Sequence, residues 1–541
     1  MMNSGKKMRA FGRMAILAIA IVMLLTVVND NEVKALNVWG LVKEAQKLEQ
    51  KKDYAGAIAK YKQAVADFVA KKEYGNTANM YRRIGDNYVL LKRYDDAVSN
   101  WDLESSYADK ASQTQVSLAA KRKADMLRST AQLFIETDAA SVGGANYHGA
   151  KFEPKNGALL GAYAELDPVV HNPANGKPFY TTGFPELTGK KHAAYLLYFT
   201  YGKPFSNLKN HISQAAANGT ALQLGLQPMK GLAEVKDDAY LRGLAREVGE
   251  SGIPVFLRFA NEMNGDWVPW HGDPKAYIEK FRLVAKVFKE EAPDNVVMVW
   301  SPDRLPEHNI SDYYPGDAYV DWVGVSLYTI FNPAFDPLKL GEDRSSHVEK
   351  FDNIYKMYAA RKPIFISEGG ISYMYPEKKL DKTDWAVYKT KEFYASLPML
   401  YPKVKGVFWF DSNHDSSNRI KYYMLSANRK LLDAYKTSIA NPFYLSAVGA
   451  ESPVAYKQIS GGAVAAGKHK MSAYVKTWSP RLAKVTYEIG GRNVGTAVSL
   501  PWTVHIDFTP YKGKKIEVIV KAYDNTNKLV TTRSVYVTVK G

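Results

Sequence analysis

Phe256-Leu257-Arg258-Phe259-Ala260-Asn261-Glu262-Met263-Asn264-Gly265-Asp266-Trp267-Val268-Pro269-Trp270 is the stretch on which the fold turns. Residues 254–259 form an apolar run of the kind a parallel strand shows when helices cover both faces of its sheet. The run ends in Asn261-Glu262 and a loop with two tryptophans, which leaves a carboxylate at the junction of strand and loop. Further along, Lys362-Pro363-Ile364-Phe365-Ile366-Ser367-Glu368-Gly369-Gly370 repeats the plan of a short apolar strand ending in Glu. Working outward, similar segments lie at 159–166, 193–200, 221–226, 296–300, 322–327 and 406–410. With 254–259 and 364–367 they make eight strands in about 290 residues, alternating with helical stretches such as 240–249 and 274–291. That alternation predicts a (β/α)8 barrel over 150–441.

The flanks read differently. Residues 41–133 are rich in Ala, Lys, Glu, Leu and Tyr and contain no proline, so they are expected to be helical. Asp53-Tyr54-Ala55-Gly56-Ala57-Ile58 and Arg93-Tyr94-Asp95-Asp96-Ala97-Val98 match at an offset of 40. This resembles a pair of tetratricopeptide-type helical hairpins, stretched beyond the usual period by 69–76 and capped by a helix at 113–134. A region of helical repeats over 38–137 and a Gly- and Ala-rich linker at 138–149 follow from that reading. The repeats either hold a partner protein or act as a spacer. After 441 the helical signals stop and alternating segments such as 485–489, 516–522 and 534–539 appear between turn residues. A small all-β sandwich of immunoglobulin-like type is expected over 450–541, with Trp478, Tyr487 and Trp502 in its core or on a sugar platform. The fold class is therefore multidomain: all-α hairpin repeats, a (β/α)8 TIM barrel, then a β-sandwich.

Composition adds limits. The net charge is +17, and residues 451–541 contribute 14 Lys or Arg against 5 Asp or Glu. That basic end either meets an anionic cell-wall polymer or is a solubilising surface; no nucleic-acid partner is expected. The chain has no cysteine, which rules out disulfides and thiolate metal sites. Lys6, Lys7, Arg9 and Arg13 precede an uncharged run at 14–28, and Val33-Lys34-Ala35 suits a signal peptidase. Residues 1–35 are read as an export signal cleaved after Ala35, the alternative being a retained anchor. Either way the protein is expected to be secreted or held at a bacterial cell surface. No His or carboxylate spacing suggests a metal, and no glycine-rich loop a phosphate, so no cofactor is expected.

Parallel barrel strands bring their carboxyl ends to one rim. That rim is expected to gather Asn261 and Glu262 from the fourth strand, Tyr328 from the sixth, Glu368 from the seventh, and Trp409 with Asp411 near the eighth. Two such carboxyls suit acetal cleavage by a retaining route, in which they stand roughly 5 to 5.5 Å apart. Glu262 is assigned as acid and base, Glu368 as nucleophile. The Tyr328 hydroxyl is expected to hydrogen-bond the nucleophile, and Trp409 to floor the sugar site by stacking or to serve in packing. Arg258 shares the inward parity of Glu262 and is expected to pair with a carboxylate inside the mouth. Trp267 and Trp270 are expected to be flanking sugar platforms or structural groups.

Several of these segments are similar to those of glycoside hydrolase family 26: Arg258 to Trp270 with its Glu-Met-Asn-Gly core, Trp300-Ser301-Pro302, Tyr314-Pro315-Gly316-Asp317 leading into Val320-Asp321-Trp322-Val323-Gly324-Val325, and 363–369. The resemblance spans about 145–440. It implies a retaining, endo-acting β-glycanase, most often a β-mannanase and sometimes a mixed-linkage β-glucanase or β-xylanase. By position it matches Glu262 to the family's acid/base, Glu368 to its nucleophile, Tyr328 to the tyrosine touching the nucleophile and Trp409 to the sugar-stacking tryptophan. Where many mannanases of the family have His before the acid/base, this chain has Asn261, as the wider barrel clan does. That departure leaves open whether the polymer is mannan, a β-glucan or another exopolysaccharide. The competing reading is a non-catalytic polysaccharide-binding protein of the cell surface.

Overall fold

The computed structural model describes residues 38–541 apart from 414, 417, 418 and 421. The expected export signal lies outside the described residues. The chain divides into two compact units, up to Lys121 and from Arg122 onward.

The first unit is built from helices α1 (Val38–Gln50), α2 (Tyr54–Ala70), α3 (Tyr74–Leu90) and α4 (Tyr94–Lys110), running into α5 (Thr114–Leu127). The turns between them place Lys52, Lys72, Lys92 and Ser112 in the left-handed region, at φ between 58° and 61°. One residue in that conformation reverses the chain in three positions. The apolar positions of α2, namely Ala57, Ile58, Tyr61, Ala64, Val65 and Phe68, all turn inward. Residues 69–76 are not an inserted segment. They close α2, make the turn and open α3, so two 17-residue helices and their turns account for the offset of 40.

The second unit holds a closed barrel. Its strands are β2 (Ala158–Tyr163), β3 (Ala194–Thr200), β4 (Ala221–Gln227), β5 (Val255–Phe259), β6 (Val296–Trp300), β7 (Trp322–Thr329), β8 (Ile364–Ile371) and β9 (Val404–Phe410). Each pairs in parallel with the next, and β9 pairs with β2 to close the sheet. Helices α6 (Tyr180–Thr188), α7 (Ser206–Asn218), α8 (Ala239–Glu250), α9 (Pro274–Glu291), α10 (Asp352–Tyr358), α11 (Thr383–Leu400) and α12 (Arg429–Ile439) cover the outside. Between β6 and β7 the connection is only a 3-10 helix, Glu307–Tyr313. Phe256, Phe365 and Phe408 fill the floor of the barrel, with ring centroids 5.1 and 5.0 Å apart. A plugged floor leaves the rim at the carboxyl ends of the strands as the open mouth.

The sandwich contains a strand that the sequence reading placed elsewhere. The helix expected to reach Phe134 ends at Leu127, and β1 (Thr130–Asp138) follows. β1 lies between β10 (Val454–Ile459) and β12 (Lys468–Lys476) in a four-stranded sheet whose other edge is β15 (Val504–Asp507). The second sheet runs β11 (Ala463–Ala465), β17 (Leu529–Lys540), β16 (Lys515–Tyr523), β13 (Lys484–Ile489), β14 (Arg492–Ala497). Leu133 and Ile135 join Met471, Val485, Val518 and Val537 in one core between the sheets. The barrel is thus inserted between two strands of the sandwich. The expected linker at 138–149 opens with the end of β1 and a short 3-10 helix, Ala139–Val142. Tyr487 and Trp502 are buried, so they are core rather than platform. The carboxylate of Glu349, on the barrel, accepts hydrogen bonds from Tyr474 at 2.6 Å and from Lys476. Among the described residues no helix is long and apolar enough to cross a membrane.

Because Leu133 is fully buried at the centre of that sheet, Leu133→Ala is expected to cost about 2–5 kcal/mol. The check is denaturant unfolding followed by hydrogen exchange in β12 and β16; an unchanged midpoint there would contradict the insertion.

Candidate active site

The fourth barrel strand, β5, ends in an unusual turn. Ala260 and Glu262 both take left-handed backbone conformations, at φ 46° and 59°. Such strain in non-glycine residues persists only where the surroundings hold it. Here the Glu262 N–H donates to the Ser301 carbonyl at 2.9 Å, and Asn264 exchanges hydrogen bonds with the Asp303 backbone at 3.0 and 2.9 Å. The turn aims the Glu262 carboxyl across the mouth. Trp267 donates from Nε1 to Glu262 Oε2 at 2.7 Å while its ring stays 51 % exposed. That ring lies so close over Gly265 that a Cβ there would sit 2.3 Å away, so only glycine fits.

Glu368 arrives by a different device. On β8 the register against β7 slips between Ile366 and Glu368, leaving Ser367 as an extra residue. Simple alternation would turn Ser367 inward and Glu368 toward the helices. With the bulge, both face in. Ser367 meets Ser301 at 3.0 Å within the barrel, and Glu368 meets Arg258 above it. Arg258, wholly buried, donates from Nη1 to Glu368 Oε2 at 2.7 Å and from Nη2 to Ser326 Oγ at 2.8 Å. Ser326 in turn donates to Glu368 Oε1 at 3.2 Å, and the Tyr198 hydroxyl donates to Oε2.

The two glutamates lie close enough across the mouth for each to shift the other's proton affinity. Their environments drive them apart. Burial, the charge of Glu368 and the charge of Asp303 raise Glu262 far above the ordinary carboxyl range. Burial alone would raise Glu368 too, but the Arg258 charge and hydrogen bonds from Glu262, Arg258 and Tyr198 outweigh it and hold the carboxyl below that range. At neutral pH the pair therefore holds one proton, on Glu262, and one charge, on Glu368.

The structure brings Arg258, Asn261, Glu262, Trp267, Tyr328 and Glu368 to one mouth, and it places two predicted residues elsewhere. Trp409 is 2 % exposed and faces outward, packed on Tyr435 of α12 at 5.3 Å with Nε1 bonded to the Tyr423 carbonyl. Alternation along β9 gives the inward position to its neighbour Phe410, which stacks on Tyr163 at 4.7 Å and meets Tyr328 edge-on at 5.6 Å. Trp270 is 1 % exposed and donates to the Asn261 carbonyl at 2.8 Å, so it braces the turn and offers no platform. The Tyr198 hydroxyl donates to Glu368 and its ring needs the space left by Gly225; Tyr328, on which the Glu368 charge also acts, stacks on Tyr423 at 5.3 Å. Sequence reasoning missed Tyr198, Ser326 and Asp303. For Tyr198 a signal existed: it sits near the carboxyl end of a strand opposite a glycine.

Residues 238–396 match the sequence model of glycosyl hydrolase family 26. Endoglucanase H of Acetivibrio thermocellus is 27% identical over 271 residues, 47% of this chain and 28% of that protein. Mannan endo-1,4-beta-mannosidase A and B of Caldalkalibacillus mannanilyticus is 29% identical over 184 residues, covering 32% and 31%. A beta-1,3-xylanase of an Alcaligenes species is 30% identical over 145 residues, covering 26% and 28%. The chain spans less than a third of the length of each of these relatives. Within the barrel, residues 238–396 carry the likeness to glycosyl hydrolase family 26.

Proposed function

We propose that the protein is a secreted, endo-acting β-glycanase that cleaves with retention of configuration, on β-mannan first and on a β-glucan, β-xylan or other exopolysaccharide otherwise. The observation that carries this reading is the pair itself: two neighbouring carboxyls at the ends of barrel strands four and seven, one with its proton affinity raised and one with it lowered. Inverting enzymes hold their carboxyls roughly 6.5–9.5 Å apart to admit a water, and the mutual influence of this pair on proton affinity favours the closer spacing of a retaining site. Glu368 attacks the anomeric carbon and forms a glycosyl ester while Glu262 passes its proton to the departing oxygen. Glu262, now ionised, takes a proton from the water that releases the sugar. Asn261 Oδ1 is buried with no hydrogen-bond partner among the described residues, and it is suited to accept from a sugar hydroxyl. Trp267, Phe410 and Tyr328 supply the aromatic surface against which a pyranose packs. The relatives named as an endoglucanase, a mannosidase and a xylanase support a β-linked polymer and leave its identity to experiment. We further propose that the helical repeats hold a partner protein and that the basic sandwich contacts the cell wall.

Reducing-sugar release on mannan, lichenan, xylan and curdlan tests the activity. Release on at least one polymer is expected; binding to a polymer without release would instead favour a surface-binding protein. Glu368→Ala should abolish turnover, whereas Glu262→Ala should keep activity on aryl glycosides with good leaving groups, which need no acid. With those substrates Glu262→Ala should also lose the alkaline fall of the wild-type pH profile, because the group whose deprotonation causes it is gone. Equal, wild-type-like rates in both variants would contradict the assignment. Arg258 lowers the Glu368 carboxyl, so in Arg258→Met the acid limb of kcat/KM should move to higher pH with a rate loss of about tenfold or more; an unmoved limb would contradict that role.

A further inference from the structure

A second acidic pair stands at the seam where β9 closes against β2, and the chemistry above does not use it. Asp411 follows β9 directly and Asp167 lies in the turn after β2; both side chains are wholly buried. One oxygen of each is fixed by backbone: Leu425 N–H donates to Asp411 Oδ1 at 2.6 Å, and Val169 N–H to Asp167 Oδ1 at 2.8 Å. The Oδ2 of each is sealed from solvent and finds no ordinary donor among the described residues. The paired ends of β9 and β2 bring the two carboxyls together, close enough for the charge of Asp167 to act on Asp411. Neither forms an ion pair among the described residues, and the other titratable groups facing Asp411 are the phenols of Tyr435 and Tyr373. Two adjacent buried carboxylates without a cation would be strongly unfavourable, while a single proton between the two Oδ2 atoms satisfies both.

We propose that Asp411 and Asp167 share one proton, and that this acid pair is a clasp on the barrel rim that positions Tyr423 and Leu425. The connections run through Asp411. Its N–H donates to the Tyr163 carbonyl at 2.8 Å, its Oδ1 holds Leu425, and the Tyr423 N–H donates to the neighbouring Ser412 carbonyl at 3.1 Å. Tyr423 in turn stacks on Tyr328 in the mouth and covers Gly370 so closely that a Cβ there would lie 2.9 Å from the ring. Asp411 and Asp167 are thus positioning residues: they touch no substrate and act through Tyr423.

The clasp has a pH signature. Burial, and then the charge of Asp167, push the Asp411 carboxyl well above the ordinary range. An acid raised in the folded state stabilises the fold fully below its unfolded pKa, and that contribution is lost as pH climbs toward the folded value. In Asp411→Asn an amide donor replaces the shared proton and cannot ionise. Melting of the full chain from about pH 4 to about pH 9 should show this variant gaining on the wild type by a few degrees as pH rises. Asp411→Leu, with no donor, should melt lower at every pH, and Asp167→Asn provides the reciprocal check should Asp411→Asn fail to fold. For the positioning role, amide exchange at Tyr423 and Leu425 should accelerate with pH beyond the chemical trend in the wild type and not in Asp411→Asn. Melting curves of wild type and Asp411→Asn that run parallel throughout would overturn the shared proton, and unaltered exchange at those amides would overturn the positioning. Neither measurement requires hydrolysis, so the outcome is separable from the roles of Glu262 and Glu368.

Discussion

The interaction on which the site depends is the ion pair between Arg258 and Glu368, buried at 0 % and 4 % side-chain exposure with 2.7 Å between its atoms. A carboxylate in such a place is stable only if its charge is matched and its remaining lone pairs are bonded. Arg258, Ser326 and Tyr198 do both. The consequence passes to Glu262. With a fixed negative charge across the cleft and Asp303 behind it, Glu262 forms no ion pair among the described residues and its proton affinity is raised. One arginine thus sets two protonation states, and the two states are what acid-assisted displacement at a sugar needs.

The scaffold makes this pair by breaking its own regularity twice. A barrel strand alternates, and strict alternation would turn Glu368 toward the helices; the extra residue at Ser367 turns it inward. Just after β5 two left-handed residues, Ala260 and Glu262, do the same for the Glu262 carboxyl, and the loop after β6 locks them through Ser301 and Asp303. Both departures stand on strands whose other residues are wholly buried, so the cost of local strain falls on an otherwise well-packed core.

Much of this was legible in the sequence. Apolar runs ending in Glu marked strands four and seven because a parallel strand covered on both faces must be apolar throughout. The inward parity of Arg258 also followed from alternation. Position at the last strand's end and the family likeness put Trp409 at the rim, either stacking or packing; its neighbour Phe410 holds the inward place and Trp409 packs outward. Tyr198 carries a positional signal at the carboxyl end of its strand, but its hydrogen-bond partner lies 170 residues away and leaves no local mark. The strand at 130–138 was read as helix because its sheet neighbours come after the whole barrel, more than 300 residues later. No local pattern announces a partner at that distance.

The most direct test of the opposed protonation states is a carboxyl 13C NMR titration of protein labelled at glutamate, with signals assigned by loss in Glu262→Gln and Glu368→Gln. The signal lost in Glu262→Gln is expected to titrate above the ordinary glutamate range near 4.3, and that lost in Glu368→Gln below it. Two signals titrating together in the ordinary range, or in the reverse order, would contradict the account.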